Sequence, residues 1–280
     1  MTRSIRGTAL AVMLALGSLP ASSQTLQYTS PAGVEYRSTV DPKGLVAVLQ
    51  AEDALAGDPD NVELMVAAGT ALAGVRQMRE ALEMFSRGLE SRPESAVLYR
   101  WRGHRYLSIR EFGRAEHDLE RGLELDPELY GVLYHLGIVR YAKGDFDGAA
   151  DMFRRALPLA PNAVELSGST DWQWMALSRA GRHGEAKALL DARPDTASTG
   201  AAYDWRLKLY RGEISPEEAL AGVGTEDVNV ATVSYGIGNW FLVRGDKAAA
   251  RTWFERSVSA TEGWPAFGFI LSEVDLARVR

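Results

Sequence analysis

Residues 144–162 read GDFDGAADMFRRALPLAPN, and two physical readings compete for them. Asp145, Asp147 and Asp151 look like the oxygen donors of a calcium loop. Such a loop continues its ligands at alternate positions and closes with a glutamate at its twelfth residue. Here Ala149 follows Asp147 in the alternation and the twelfth residue is Ala156, so the metal reading fails. The other reading is packing. Gly144-Asp145 turns the chain between two helices, Asp145 or Asp147 caps the second, Ala149 and Phe153 face its neighbours, Asp151 points to solvent, and Pro161 prevents the helix from continuing.

The packing reading extends outward because the same pattern returns every 34 residues. Prolines stand at Pro59, Pro93, Pro127 and Pro161, small residues at Ala81, Ala115 and Ala149, and large apolar residues at Phe85, Leu119 and Phe153. Gly88, Gly122 and Ala156 form a fourth column and Gly69, Gly103 and Gly137 a fifth. Small residues let two helices approach closely, and the large residue four positions on fills the gap between units. A period of 34 with A-x3-F-x2-A/G-x4-P is the signature of paired antiparallel helices stacked in an array. The expected fold is therefore all-α, a right-handed α-solenoid of helix-turn-helix repeats.

Three regular units span 62–163. Ser167-Gly168-Ser169-Thr170 adds three residues to the spacing, and two divergent units follow over 164–230, the second carrying a capping-box pattern at Ser215-Pro216-Glu217-Glu218. A sixth unit at 231–264 recovers the columns with Gly238, Ala250 and Phe254. Terminal repeats leave an apolar face that something must cover; 42–61 and 265–280 read as capping helices. Residues 24–41 lack helical periodicity and read as an extended arm with a turn at Ser30-Pro31-Ala32-Gly33.

At the N-terminus Arg3 and Arg6 precede an apolar run, Thr8 to Gly17, and small residues at Pro20-Ala21-Ser22-Ser23. Residues 1–23 read as a cleavable signal peptide, with the cut between Ser23 and Gln24 and the product exported, periplasmic or secreted. The run is about half of the ~20 residues a membrane-spanning helix requires, so no integral membrane segment is expected after cleavage. The net charge is −6; removing residues 1–23, with two arginines and no acid, moves it to −8. That balance argues against nucleic acid as a partner. With no cysteine, the chain has no disulfide, thiolate metal site, thiol nucleophile or cysteine-linked lipid.

The units at 62–163 resemble tetratricopeptide repeats, with Gly144-Asp145-Phe146, Ala149, Phe153, Ala156-Leu157 and Pro161 matching the second-helix pattern. The later half, through Trp205-Arg-Leu-Lys-Leu-Tyr210-Arg-Gly212, Tyr235-Gly-Ile-Gly238-Asn239-Trp240-Phe241 and Arg244-Gly245-Asp246, is similar to NlpI-type proteins of bacterial envelopes. That resemblance implies a scaffold that brings envelope proteins together. Such arrays bind along the concave surface formed by their first helices, which here places Arg100, His104, Leu107, Tyr134, Ile138, Tyr141, Asp171, Trp172, Met175 and Asn239 as candidate partner-binding residues. Arg105, Trp101 and His135 adjoin them. The carboxylate-gripping positions used by some members hold Val66 and Thr70. Trp174 is expected in the buried column and Trp172 free, which leaves a glycan-binding module as an alternative, through Trp172, Tyr141 and Tyr134. A fixed subunit of an envelope complex is a third reading.

No catalytic constellation is present. The four histidines lack metalloprotease spacing, no serine sits in a nucleophile elbow, and there is no phosphate-cradling loop. His104 and His135 can approach one another, but a third metal ligand is not evident. The expectation is a non-enzymatic binder of a protein or peptide, with no cofactor and no metal; its oligomeric state is not legible in the sequence.

Overall fold

A computed structural model describes residues 24–39, 41–193 and 199–279. The expected signal peptide and residues 194–198 of the polar stretch after the fourth unit lie outside the described residues. The described chain forms fourteen α-helices and one two-stranded hairpin. After α1 (Pro42–Gly57) the helices pair as α2/α3 (Val62–Gly74, Met78–Ser91), α4/α5 (Ala96–Ser108, Phe112–Leu125) and α6/α7 (Tyr130–Lys143, Phe146–Ala156). The pairs α8/α9 (Ala163–Arg179, His183–Asp191), α10/α11 (Ala202–Arg211, Pro216–Ala221) and α12/α13 (Asp227–Leu242, Lys247–Ser259) follow, and α14 (Phe267–Arg278) ends the chain. The architecture is a right-handed α-solenoid whose first helices line its inner side.

The repeat columns have a direct steric cause. A Cβ placed on Gly69, Gly103, Gly137 or Gly238 would lie 2.2, 2.7, 2.7 or 2.5 Å from a side-chain atom of Phe85, Leu119, Phe153 or Phe254 respectively. Each glycine therefore admits the large residue of its partner helix to a depth that any side chain would forbid. Ala81, Ala115 and Ala149 are fully buried beside them. First helices start where Asn61, Ser95 and Asn162 accept backbone N–H groups of the first turn, while Asp145 and Asp246 do the same for second helices. Between the two helices the chain turns through a left-handed residue: Gly144, Gly181, Gly212 and Gly245 in four units, but Arg76 and Arg110 in the first two. A non-glycine residue is strained there.

The opening stretch is packing throughout. Gly144 takes φ +88°, the Asp145 carboxylate accepts the Gly148 N–H, Phe153 is fully buried against Gly137, and Asp151 pairs with Arg154 in solvent. At Ser215-Glu218 the expected capping box forms and starts α11.

Three elements differ from the sequence reading. Residues 24–39 are not a simple arm: β1 (Leu26–Thr29) pairs antiparallel with β2 (Glu35–Arg37), placing Tyr28 opposite Tyr36. The extra residues at Ser167–Thr170 do not bulge out; they lie inside α8, which continues unbroken for 17 residues. The lengthened helix turns Trp172 inward, so it is fully buried rather than free. Finally, α14 does more than cover the end of the sixth unit. It runs alongside α6 within the concave side, with Phe267 against His135 and the Arg278 guanidinium donating to the Ala142 carbonyl.

The hairpin fastens this closure. Tyr28 and Tyr36 stack on Trp264, and Phe269 meets Tyr36 edge-on. Met78, Leu82 and Ile109 from the early units join the same apolar cluster, so the first and last parts of the array are bridged through the hairpin. Arg110, from its strained left-handed position, donates to Glu273 of α14 at 2.8 Å and lies 4.2 Å over the Tyr28 ring.

Candidate functional site

The concave face divides into a covered part and an open part. In the covered part Phe267 of α14 is the anchor, its ring 5.3 Å from His104, 5.7 Å from His135, 6.4 Å from Tyr134 and 6.5 Å from Trp172. Trp172 continues the aromatic stack onto Phe153 and Tyr235. One turn before the end of α14, the buried Asp275 receives two hydrogen bonds from Arg179, at 3.0 and 3.1 Å, and one from the Tyr235 hydroxyl at 3.0 Å. The Tyr141 hydroxyl and Arg179 both donate to Asn239 Oδ1, which ties α6, α8 and α12 to this centre.

Leu107, Tyr134, Ile138, Tyr141, Asp171, Trp172, Met175 and Asn239, all expected to face a partner, are therefore buried. They face α14 or neighbouring first helices instead, because a helix of the chain itself occupies the surface they line. Asp171 is an internal ion-pair residue, with Oδ2 2.8 Å from Arg206 Nη2 and both side chains fully buried. Arg206 reaches it across Gly236, where a Cβ would fall 2.2 Å from the guanidinium Nε. Burial pushes the Asp171 carboxyl up to about 7, against the opposing pull of Arg206.

Arg100 and His104 keep partial exposure, as does Trp101 beside them. Together with exposed Ala67 and Thr70 on α2 and Val97 on α4, they form the open part of the face. Arg100 lies flat on Trp101, its guanidinium carbon 3.7 Å from the ring centre, and rests over Gly131 of α6, where a Cβ would come within 2.4 Å. His104 and His135 stack at 4.3 Å. The Arg105 guanidinium donates to His104 Nδ1 at 2.6 Å, and His135 Nδ1 donates to the Gly131 carbonyl, which sets a neutral tautomer on each ring. Burial holds both imidazoles well below their ordinary pKa; next in order, Arg105 adds to this at His104 and Arg100 at His135. A cation ligated by the two histidines would sit beside two guanidinium groups, which oppose it electrostatically. Among the described residues no cluster of three or more metal-ligating side chains occurs, and no helix is long and apolar enough to cross a membrane.

The residues missed by sequence reasoning are Phe267, Arg179 and Asp275. Their partners lie one to several units away, so no local pattern marks them. Gly131 and Gly236 carried the one available signal, each being a second glycine in a first helix, off the repeat column and opposite an arginine of the preceding unit.

Residues 102–164 match a tetratricopeptide-repeat family model. That segment belongs to the tetratricopeptide-repeat family. Over 103 residues it is 31% identical to Protein bimA of Emericella nidulans, covering 36% of this chain and 13% of that protein. Over 72 residues it is 36% identical to the Lipoprotein NlpI homolog of Haemophilus influenzae, covering 26% of this chain and 23% of that one. These matches span a quarter or less of each relative's length. Among solved structures, MamA is similar at 23% identity, with a TM-score of 0.45 over 55% of this chain and 90% of that one. YrrB, described as a tetratricopeptide-repeat protein with an unusual peptide-binding site, is similar at 17% identity and a TM-score of 0.45, covering 76% and 92% of the two chains. In this chain the last helix, α14, lies along the inner side of the helical array, against α6.

Proposed function

We propose that the protein is an exported, non-catalytic adaptor that holds a peptide segment of a partner protein on the open part of its concave face, across α2, α4 and the start of α6. The observation that carries this reading is the division of that face. The rows from Tyr134 to Asn239 are sealed by α14, whereas Thr70, Val97, Arg100 and Trp101 remain exposed or partly exposed on the same inner surface. Aromatic and arginine side chains on a rigid support are the usual energetic anchors of recognition. Export rests on the basic, apolar and small-residue pattern of residues 1–23, and an envelope role on the similarity to the NlpI homolog. The glycan reading loses its residues, because Trp172 and Tyr141 are fully buried and Tyr134 nearly so.

The test is the affinity of the protein for peptides selected from a random dodecapeptide display library, measured by fluorescence anisotropy. Trp101→Ala with Arg100→Ala weakens a groove-bound peptide at least tenfold. Unchanged affinity in that double variant overturns the assignment to this face.

A further inference from the structure

Four buried or half-buried guanidinium groups in this protein each have a carboxylate partner, and two on α4 do not. Arg206 has Asp171 at 2.8 Å, Arg179 has Asp275 at 3.0 Å, Arg102 has Asp118 at 2.7 Å and Arg110 has Glu273 at 2.7 Å. Burying a cation is costly unless a carboxylate compensates it, so this pairing is what physical chemistry demands. Arg105 is only 7% exposed, yet among the described residues no acid reaches ion-pair distance of it. Its Nη atoms contact the His104 ring and the Met78 sulfur, and its Nε has no hydrogen-bond partner at all. Arg100, on the same helix, likewise has neither an ion pair nor a hydrogen bond among the described residues and is held by stacking on Trp101 and packing over Gly131. The acid that faces Arg100 at longer range, Glu165, is already engaged by the Tyr130 hydroxyl.

Two unpaired guanidiniums on one helix, Arg100 half-buried at the edge of the open groove and Arg105 buried beside His104, form a region of concentrated positive charge in a chain whose net charge is −6. We infer that the missing carboxylate comes from the partner: the Arg100–Arg105 pair is an acidic-residue subsite, which receives an Asp or Glu side chain of the bound peptide. Arg100 meets the carboxylate first at the groove surface, and the Arg105 Nε–H supplies the inner donor. Trp101 packs on the peptide beside the acid. Charge-assisted hydrogen bonds to a carboxylate are among the strongest available to a recognition site, and Arg suits them by its fixed fork of donors.

The inference rests on the peptide-binding reading, and the experiment separates the two. Dodecapeptides selected on the wild-type protein are resynthesised with each acidic residue changed to its amide, with free and amidated C-termini, and with phosphoserine in place of the acid. The expected result is an Asp or Glu common to the selected peptides, at least a tenfold loss on Glu→Gln, and no dependence on the chain terminus. In the Arg100→Gln/Arg105→Met variant the Glu and Gln peptides bind alike. Because Arg105→Met removes an unpaired buried charge, its melting temperature stays at or above that of wild type, whereas Arg206→Met lowers it. Peptides that bind the groove with no Glu-over-Gln preference overturn the subsite alone, as does a preference that survives in the double variant. So does affinity that follows only the free C-terminus or only phosphoserine. Recovery of no groove-binding peptide overturns the peptide reading itself.

Discussion

Replacing Asp275 by Ala removes the acceptor on which the seating of α14 depends. The carboxylate is 1% exposed and takes three hydrogen bonds of 3.0–3.1 Å from Arg179 and Tyr235. Its loss leaves Arg179, whose side chain is 12% exposed, facing a low-dielectric interior without compensation. Breaking one side of such a buried pair costs about 3–5 kcal/mol. Repeat arrays open in parts rather than all at once, so the cost falls on detachment of α14 and is read by hydrogen exchange of its amides. At about 1.4 kcal/mol per tenfold, α14 exchanges roughly 10²- to 4 × 10³-fold faster in Asp275→Ala. Asp151→Ala, which breaks an exposed pair with Arg154, leaves α14 exchange unchanged. The paired substitution Asp275→Leu with Arg179→Met recovers most of the protection, since the cation it deprives of a carboxylate, Arg278, is about a third exposed and keeps its hydrogen bond to the Ala142 carbonyl. If the α14 amides of Asp275→Ala exchange within tenfold of wild type, the Arg179–Asp275–Tyr235 centre does not hold the helix and this reasoning is wrong.

Gly137→Ala places a Cβ 2.7 Å from the Phe153 ring and should destabilise the array by about 1–3 kcal/mol in urea unfolding, while Gly181→Ala, with open space around it but φ +75°, tests backbone strain alone. Trp172→Ala opens a cavity between Phe153, Tyr235 and Phe267 and should cost about 3–5 kcal/mol by the same measurement; retention on purified, protein-free cell wall that is lost in this variant without loss of folding would restore the glycan reading. The buried imidazoles of His104 and His135 are depressed in the folded state, so the unfolded chain takes up protons near pH 6.5 that the folded chain refuses. Stability is then full above that pH and declines as pH falls toward the depressed values, by at most about 1.4 kcal/mol per pH unit for each histidine. The double variant His104→Gln/His135→Gln flattens that slope, and an unaltered slope refutes the assignment.

The regular units were legible because each column has a single steric cause: a glycine such as Gly137 is needed wherever a residue such as Phe153 enters its partner helix. Capping at Asp145 and Ser215 was legible for the same reason, being local. What was not legible depends on distance along the chain. Phe267 and Asp275 have the periodicity of any amphipathic helix, and nothing within α14 says that it turns into the groove rather than stacking on the end. Trp172 was misplaced because Trp174 fills the buried column, which left its neighbour as the free indole, whereas in α8 both indoles are buried and Trp172 stacks on Phe153 and Tyr235. The open end of the face at Arg100 and His104 was identified by composition; that Arg105 lacks a counter-charge is visible only when every neighbouring acid has been placed.

The proposed peptide site lies on the inner face at α2 and α4, beside the segment sealed by α14. A photo-crosslinking amino acid is placed at position 97, in place of exposed Val97 on that inner face, or at position 114, in place of exposed Arg114 of α5, and each protein is exposed to a selected dodecapeptide. Crosslinking is expected from position 97, abolished by excess unlabelled peptide, and not from position 114. Crosslinking from position 114 with none from position 97 overturns the assignment.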